Sequence, residues 1–172
     1  ELKAVAQAKV QGVLNDSFSI DEYEGNLRLV TTVTPGFGNS VMPISQEEDS
    51  VQTTEKTVTT NTLYVLDDKL KELSRIEELA PDESIYSARF IGNTGYFVTF
   101  RQMDPLFSVD LSDPKKPEIL GALKIPGFSE YLHPYGDGLL LGIGMDTDPT
   151  GMTTNGVKLS MFDVSDPKDV RE

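Results

Sequence analysis

The chain has 172 residues, enough for one domain, and its 14 glycines and 10 prolines favour many turns over long helices. With 28 acidic residues against 15 basic ones the net charge is −13, which repels phosphate backbones and anionic headgroups and so argues against nucleic acid as a partner. There is no cysteine, which excludes disulfides, thiolate nucleophiles and cysteine zinc sites, and no stretch is long and apolar enough for direct membrane insertion.

In chain order, residues 1–14 read either as the outer strand of a preceding unit or, from their alanines, as a short helix. The opening Glu1-Leu2-Lys3 shows neither an initiator methionine nor a signal peptide, as a trimmed or excised segment would. Alternating apolar runs then predict strands near 18–23, 27–33, 62–67 and 72–79, with an acidic, Thr/Ser-rich insertion at 34–61. A second set follows at 86–91, 95–100, 105–110 and 118–124. A third comprises 129–134, 138–143 and 157–163, with an insertion at 144–156 and a possible fourth strand starting near Val170.

These sets are copies of one unit. Leu63-Tyr64-Val65-Leu66-Asp67 matches Leu106-Phe107-Ser108-Val109-Asp110 at an offset of 43 residues. The pattern returns as Leu159-Ser160-Met161-Phe162-Asp163, one more repeat on with ten further residues of insertion. Residues 18–32 lie without a gap over 86–100, so Phe18-Ser19 falls on Tyr86-Ser87, and Phe128-Ser129 is the third occurrence. Gly25-Asn26, Gly92-Asn93 and Asp137-Gly138 supply turns after the first strand of each unit. Asp110, Asp113, Asp163 and Asp166 recur where a carboxylate would cap a turn.

Four antiparallel strands in about 43 residues form one small twisted sheet, which cannot bury both of its faces alone. Radial stacking of such sheets solves this, so the expected fold is all-β: an incomplete β-propeller of about three four-stranded antiparallel blades. The whole chain, 1–172, then forms one partial propeller domain. Blade 1 covers about 15–79, blade 2 about 85–124, and an incomplete blade 3 about 128–172. A β-sandwich is the structural alternative. Open blade edges at both flanks predict self-association.

The first strand of a blade lines the central channel, which makes Asp21, Glu22, Arg89, Glu130, Tyr131 and His133 candidate binding residues. Alternation places Asp21 and Tyr23 on one face and Glu22 on the other. Arg89 aligns with Asp21, so an arginine–carboxylate bond between neighbouring inner strands is expected. Arg101 precedes Asp104-Pro105 in a tight loop on the face that carries both insertions, and is a further candidate. His133 is the only histidine, and no G-x-S-x-G elbow accompanies it. No catalytic residue is assigned. Asp146 and Asp148 open a faint calcium-loop pattern, but Val157 stands where an EF-hand needs glutamate, so no metal or other cofactor is expected beyond weak calcium binding.

The segments FSIDEY (18–23), LRLVTT (27–32), YSARF (86–90), VTFRQMDPL (98–106), GFSEYLHP (127–134) and KLSMFDVSDP (158–167) run in order through nearly the whole chain. In them the chain resembles the bacterial and archaeal secreted proteins containing a C-terminal β-propeller domain. That resemblance implies an internal portion of a longer secreted or lipid-anchored cell-surface protein, and it supplies no catalytic residues.

The function expected is a noncatalytic extracellular binding or scaffolding module for a protein, a peptide or a cell-surface glycan. A hydrolase or lyase using channel carboxylates is one alternative, and a purely structural spacer is another.

Overall fold

A computed structural model describes residues 3–34, 58–100, 104–148 and 153–172. Eleven strands in it form three separate antiparallel sheets, and no α-helix occurs among the described residues. The first sheet is a meander of β1 (Ile20–Tyr23), β2 (Asn26–Val33), β3 (Thr60–Leu66) and β4 (Glu72–Leu79). The second runs β5 (Ser84–Ile91), β6 (Thr94–Phe100), β7 (Asp104–Asp110) and β8 (Glu118–Ile125) in the same order. The third holds β9 (Phe128–Pro134), β10 (Leu139–Thr147) and β11 (Thr154–Asp163). An isolated bridge between Asp163 and Arg171 begins a fourth strand beside β11.

Local chemistry accounts for these strands. Between β1 and β2, Glu24 and Gly25 both have positive φ, as a two-residue mirror-image turn requires, and Tyr23 pairs directly with Asn26. At the far end of each sheet an aspartate closes the turn. Asp67 accepts the amides of Lys69 and Lys71, Asp110 that of Ser112, and Asp163 that of Ser165. Asp113 and Asp166 repeat the bond with Lys115 and Lys168, each two residues on.

The sheets stack face to face as blades. Val30, Leu63 and Val65 of the first meet Ile85, Ala88, Phe97, Val109 and Leu111 of the second in one buried cluster. Tyr96, Val98 and Leu106 on the opposite face of the second meet Leu132, Leu140, Phe162 and Val164 of the third. The middle strands of the second sheet are thus buried on both sides, and successive β6 residues point into different junctions. Each large side chain so buried contributes roughly 1.5–3 kcal/mol. Serine hydroxyls add inter-blade bonds: Ser74 to the Pro114 carbonyl at 2.6 Å, Ser108 to that of Pro167 at 2.6 Å, and Ser87 to that of Ser129 at 2.7 Å.

Three expectations need correction. Residues 3–12 form neither an outer strand nor a helix. Val10 packs on Leu29, Tyr64 and Leu66, and Val13 pairs with Thr32, extending the inner edge of the first sheet. Of the stretch 144–156, residues 144–147 belong to β10 and 154–156 to β11, which stay paired out to Thr147 and Thr154, while 149–152 lie outside the described residues. Gly144 belongs to the sheet for a steric reason: a Cβ on it would collide with the Phe128 carbonyl. Of the stretch 34–61, Thr60 and Asn61 belong to β3, while 35–57 lie outside the described residues.

Candidate functional site

The inner strands bring three of the predicted polar residues together, Arg89, Tyr131 and His133, and give the other described ones separate surroundings. Asp21 does not meet Arg89. Its carboxylate pairs with Arg28 on the neighbouring β2, because Asp21 and Arg28 are direct cross-strand partners. The Arg28 side chain is only 3% exposed. Its Nη1 donates to the Gly92 carbonyl of the next blade at 2.6 Å, and its guanidinium lies 4.8 Å from the Tyr23 ring and 5.1 Å from that of Phe90. Arg89 repeats this role one junction further on. Its Nε donates to the Leu132 carbonyl at 2.8 Å, and its guanidinium stacks 4.0 Å from the Phe18 ring and 5.3 Å from that of Tyr131. Both arginines therefore join blade to blade, as planar donors that also stack on aromatic faces.

The remaining candidates divide. Tyr131 Oη lies 3.1 Å from His133 Nδ1, and the Tyr131 ring touches Phe18, so residues of the first and third blades meet above Arg89. Glu22 accepts the Gly25 amide at 2.9 Å and holds the first turn. Glu130 is exposed. Arg101 lies outside the described residues. Asp146 sits in β10 opposite Gly156, and the Asp148 amide donates to the Thr153 carbonyl at 3.0 Å. Among the described residues no three His, Cys, Asp or Glu side chains group as metal ligands.

Two crevices open between blades, at the end of the stack that carries the β1–β2 and β5–β6 turns. The first is lined by Tyr23, Asn26 and Arg28 of one blade and by Leu111, Ser112 and Pro114 of the next. It measures about 60 Å³. The second is lined by Ile91, Thr94 and Tyr96, facing Val164, Ser165 and Pro167. It measures about 470 Å³, within the size range of ligand pockets. These six positions of each lining correspond through the sequence repeat, with Arg28 replaced by Tyr96 and Tyr23 by Ile91. Arg28 fills the first crevice from within. Tyr96 is buried in the core, which pushes its phenol pKa up, and it leaves the second crevice open.

A family model for the beta propeller domain matches residues 1–172. The chain belongs to that family. An uncharacterized protein of Archaeoglobus fulgidus is 42% identical over 166 residues, covering 96% of the chain and 22% of its own length. Another, from Methanocaldococcus jannaschii, is 39% identical over 169 residues, covering 96% of the chain and 24% of its own length. The chain thus spans less than a quarter of these two relatives. No solved structure matches it.

In this propeller domain, sequence reasoning missed three features that bear on binding. Arg28 stands on β2 rather than on an inner strand, yet it fills a junction. Phe18 marks the start of the repeat, and its ring covers Arg89. The second crevice, with Asp137 on its rim, was overlooked altogether. One signal for it was present: at a position occupied by arginine in the first unit, the second has tyrosine.

Proposed function

We propose that this chain is part of a noncatalytic binding module, exported or anchored at the cell surface, that recognises a protein, peptide or glycan through the junctions between its blades. One observation carries the reading. Arg28, Arg89 and Asp21 are engaged in joining strands and blades, while a crevice of about 470 Å³ stands open beside them. A hydrolase would need two carboxylates free to share a substrate. Asp21 is held by Arg28, and Glu22 is bonded to its own turn. The resemblance to secreted propeller proteins supports the location. Self-association through the exposed apolar residues Val157, Leu159 and Met161 of β11 belongs to the same proposal.

Arrays of peptides and cell-surface glycans, probed with the folded chain, test the reading. Saturable binding without bond cleavage is expected. Turnover of any arrayed compound that is lost in Asp21→Asn would overturn it, as would uniform absence of binding. Sedimentation across a concentration series tests the self-association, which Leu159→Glu is expected to abolish; a monomer at every concentration would refute it.

A further inference from the structure

The two crevices differ in what fills them, and the smaller one shows what its larger counterpart accepts. In the first, a guanidinium lies against two aromatic rings, donates to the carbonyl of Gly92 and pairs with a carboxylate. In the second, Pro134 at the end of β9 lines the space. The Tyr96 ring stands where the Arg28 stem would otherwise run. The carboxylate is supplied from the opposite blade by Asp137, in an exposed turn between Gly136 and Gly138. Gly136 has φ +66, and a Cβ added there would meet nothing within 4 Å, so the turn leaves the mouth uncovered.

We propose that the crevice between the second and third blades takes the arginine side chain of a partner peptide, in the place that Arg28 occupies from within in the first crevice. The lining suits such a side chain. Ile91, Tyr96 and Val164 receive the methylene stem and the flat face of the guanidinium, while Asp137 meets its charge at the rim. The net charge of −13 favours the approach of a basic segment and disfavours an acidic one. The proposal rests on the binding reading above and names its ligand.

The test uses the isotope-labelled 172-residue chain, titrated with acetyl-Gly-Arg-Gly-amide and its Gly-Leu-Gly and Gly-Glu-Gly counterparts, and followed by amide chemical shifts. The arginine peptide is expected to give saturable shifts confined to Gly136, Asp137, Gly138 and Ser165. Asp137→Asn, an exposed change that leaves the core untouched, is expected to weaken that binding about fivefold, the size of a partly exposed ion pair. Equal or tighter binding of the leucine peptide would overturn the arginine assignment and leave the binding reading standing. So would arginine shifts that spread over the acidic surface without saturating, or an Asp137→Asn variant that binds unchanged. Failure of all three peptides, together with an empty array, would overturn both.

Discussion

Leu106 and Leu159 occupy the same place in successive repeats, and the fold treats them oppositely. Leu106 is 2% exposed and lies between the second and third blades, whereas Leu159 is 67% exposed on the outer face of the third. Leu63, the first copy, is fully buried. The residue, the strand and the direction of the side chain are shared, so what separates them is the presence of a neighbouring sheet. Core in this architecture is a property of junctions, and a blade supplies only half of each one.

The largest expected effect sharpens that contrast. Leu106→Ala should cost about 2–5 kcal/mol of unfolding free energy, because it leaves a cavity in a packed junction. Leu159→Ala should change stability by no more than about 0.5 kcal/mol, as exposed substitutions do. Urea unfolding of the two variants checks this. Equal losses would break the comparison and show that the outer face of the third blade is covered in solution.

Arg28 comes next, since it connects the first and second blades with polar groups. Arg28→Ala removes the pair with Asp21, the bond to Gly92 and the stacking on Tyr23 and Phe90. A fully buried pair broken on one side costs roughly 3–5 kcal/mol, but Asp21 is 35% exposed and regains water, so about 2–3 kcal/mol is expected. Losses below about 1 kcal/mol in thermal or urea unfolding would mean that the guanidinium is dispensable at this junction. In that case its value as a guide to the second crevice would fall with it.

How much of this was legible follows from the same contrast. The repeat of 43 residues revealed the strands, their order and the aspartate turns, because each is fixed within a single unit. The pairing of Asp21 was not legible. Alternation gave its face and the repeat alignment pointed to Arg89 in the next blade, but the register of β1 on β2 sets Arg28 directly across from it. The stretch 144–156 read as a loop because Gly144, Asp146 and Gly156 are typical of loops. Gly144 is there because the neighbouring backbone passes too close for a side chain. The open crevice depends on how a tyrosine packs where an arginine stood, which no local pattern specifies.

A smaller effect is expected from the hydroxyl bonds between blades. Ser108→Ala removes the bond to the Pro167 carbonyl while leaving the apolar contacts of the junction in place, and about 1 kcal/mol should be lost. Ser160, in the third blade, gives its hydroxyl to Glu172 of the same blade, so Ser160→Ala should not loosen a junction. Hydrogen exchange in β9 and β10 separates the two: faster exchange there is expected for Ser108→Ala alone. The same acceleration in both variants would show that the Pro167 bond is not specific to the junction.

The smallest expected effect concerns the aspartate turns, which the second and third blades share despite their different surroundings. The Ser112 amide, and then its hydroxyl, hold the Asp110 carboxyl below its ordinary pKa. For Asp163 the Ser165 hydroxyl leads and the amide follows. A carboxyl whose folded pKa is depressed adds stability that is fully present above its unfolded value, near 3.8, and is lost as the pH falls through the folded value. Asp110→Ala should therefore cost about 0.5–1 kcal/mol at neutral pH, with the difference from the parent chain shrinking as the pH drops below 3.8. Asp110→Asn keeps an oxygen for the amide but cannot titrate, so it should lose less at neutral pH and show no such dependence. Unfolding curves for the three proteins across the acid range decide the matter. A gap between parent and alanine variant that stays constant with pH would mean that the turn needs an acceptor there and draws nothing from its charge.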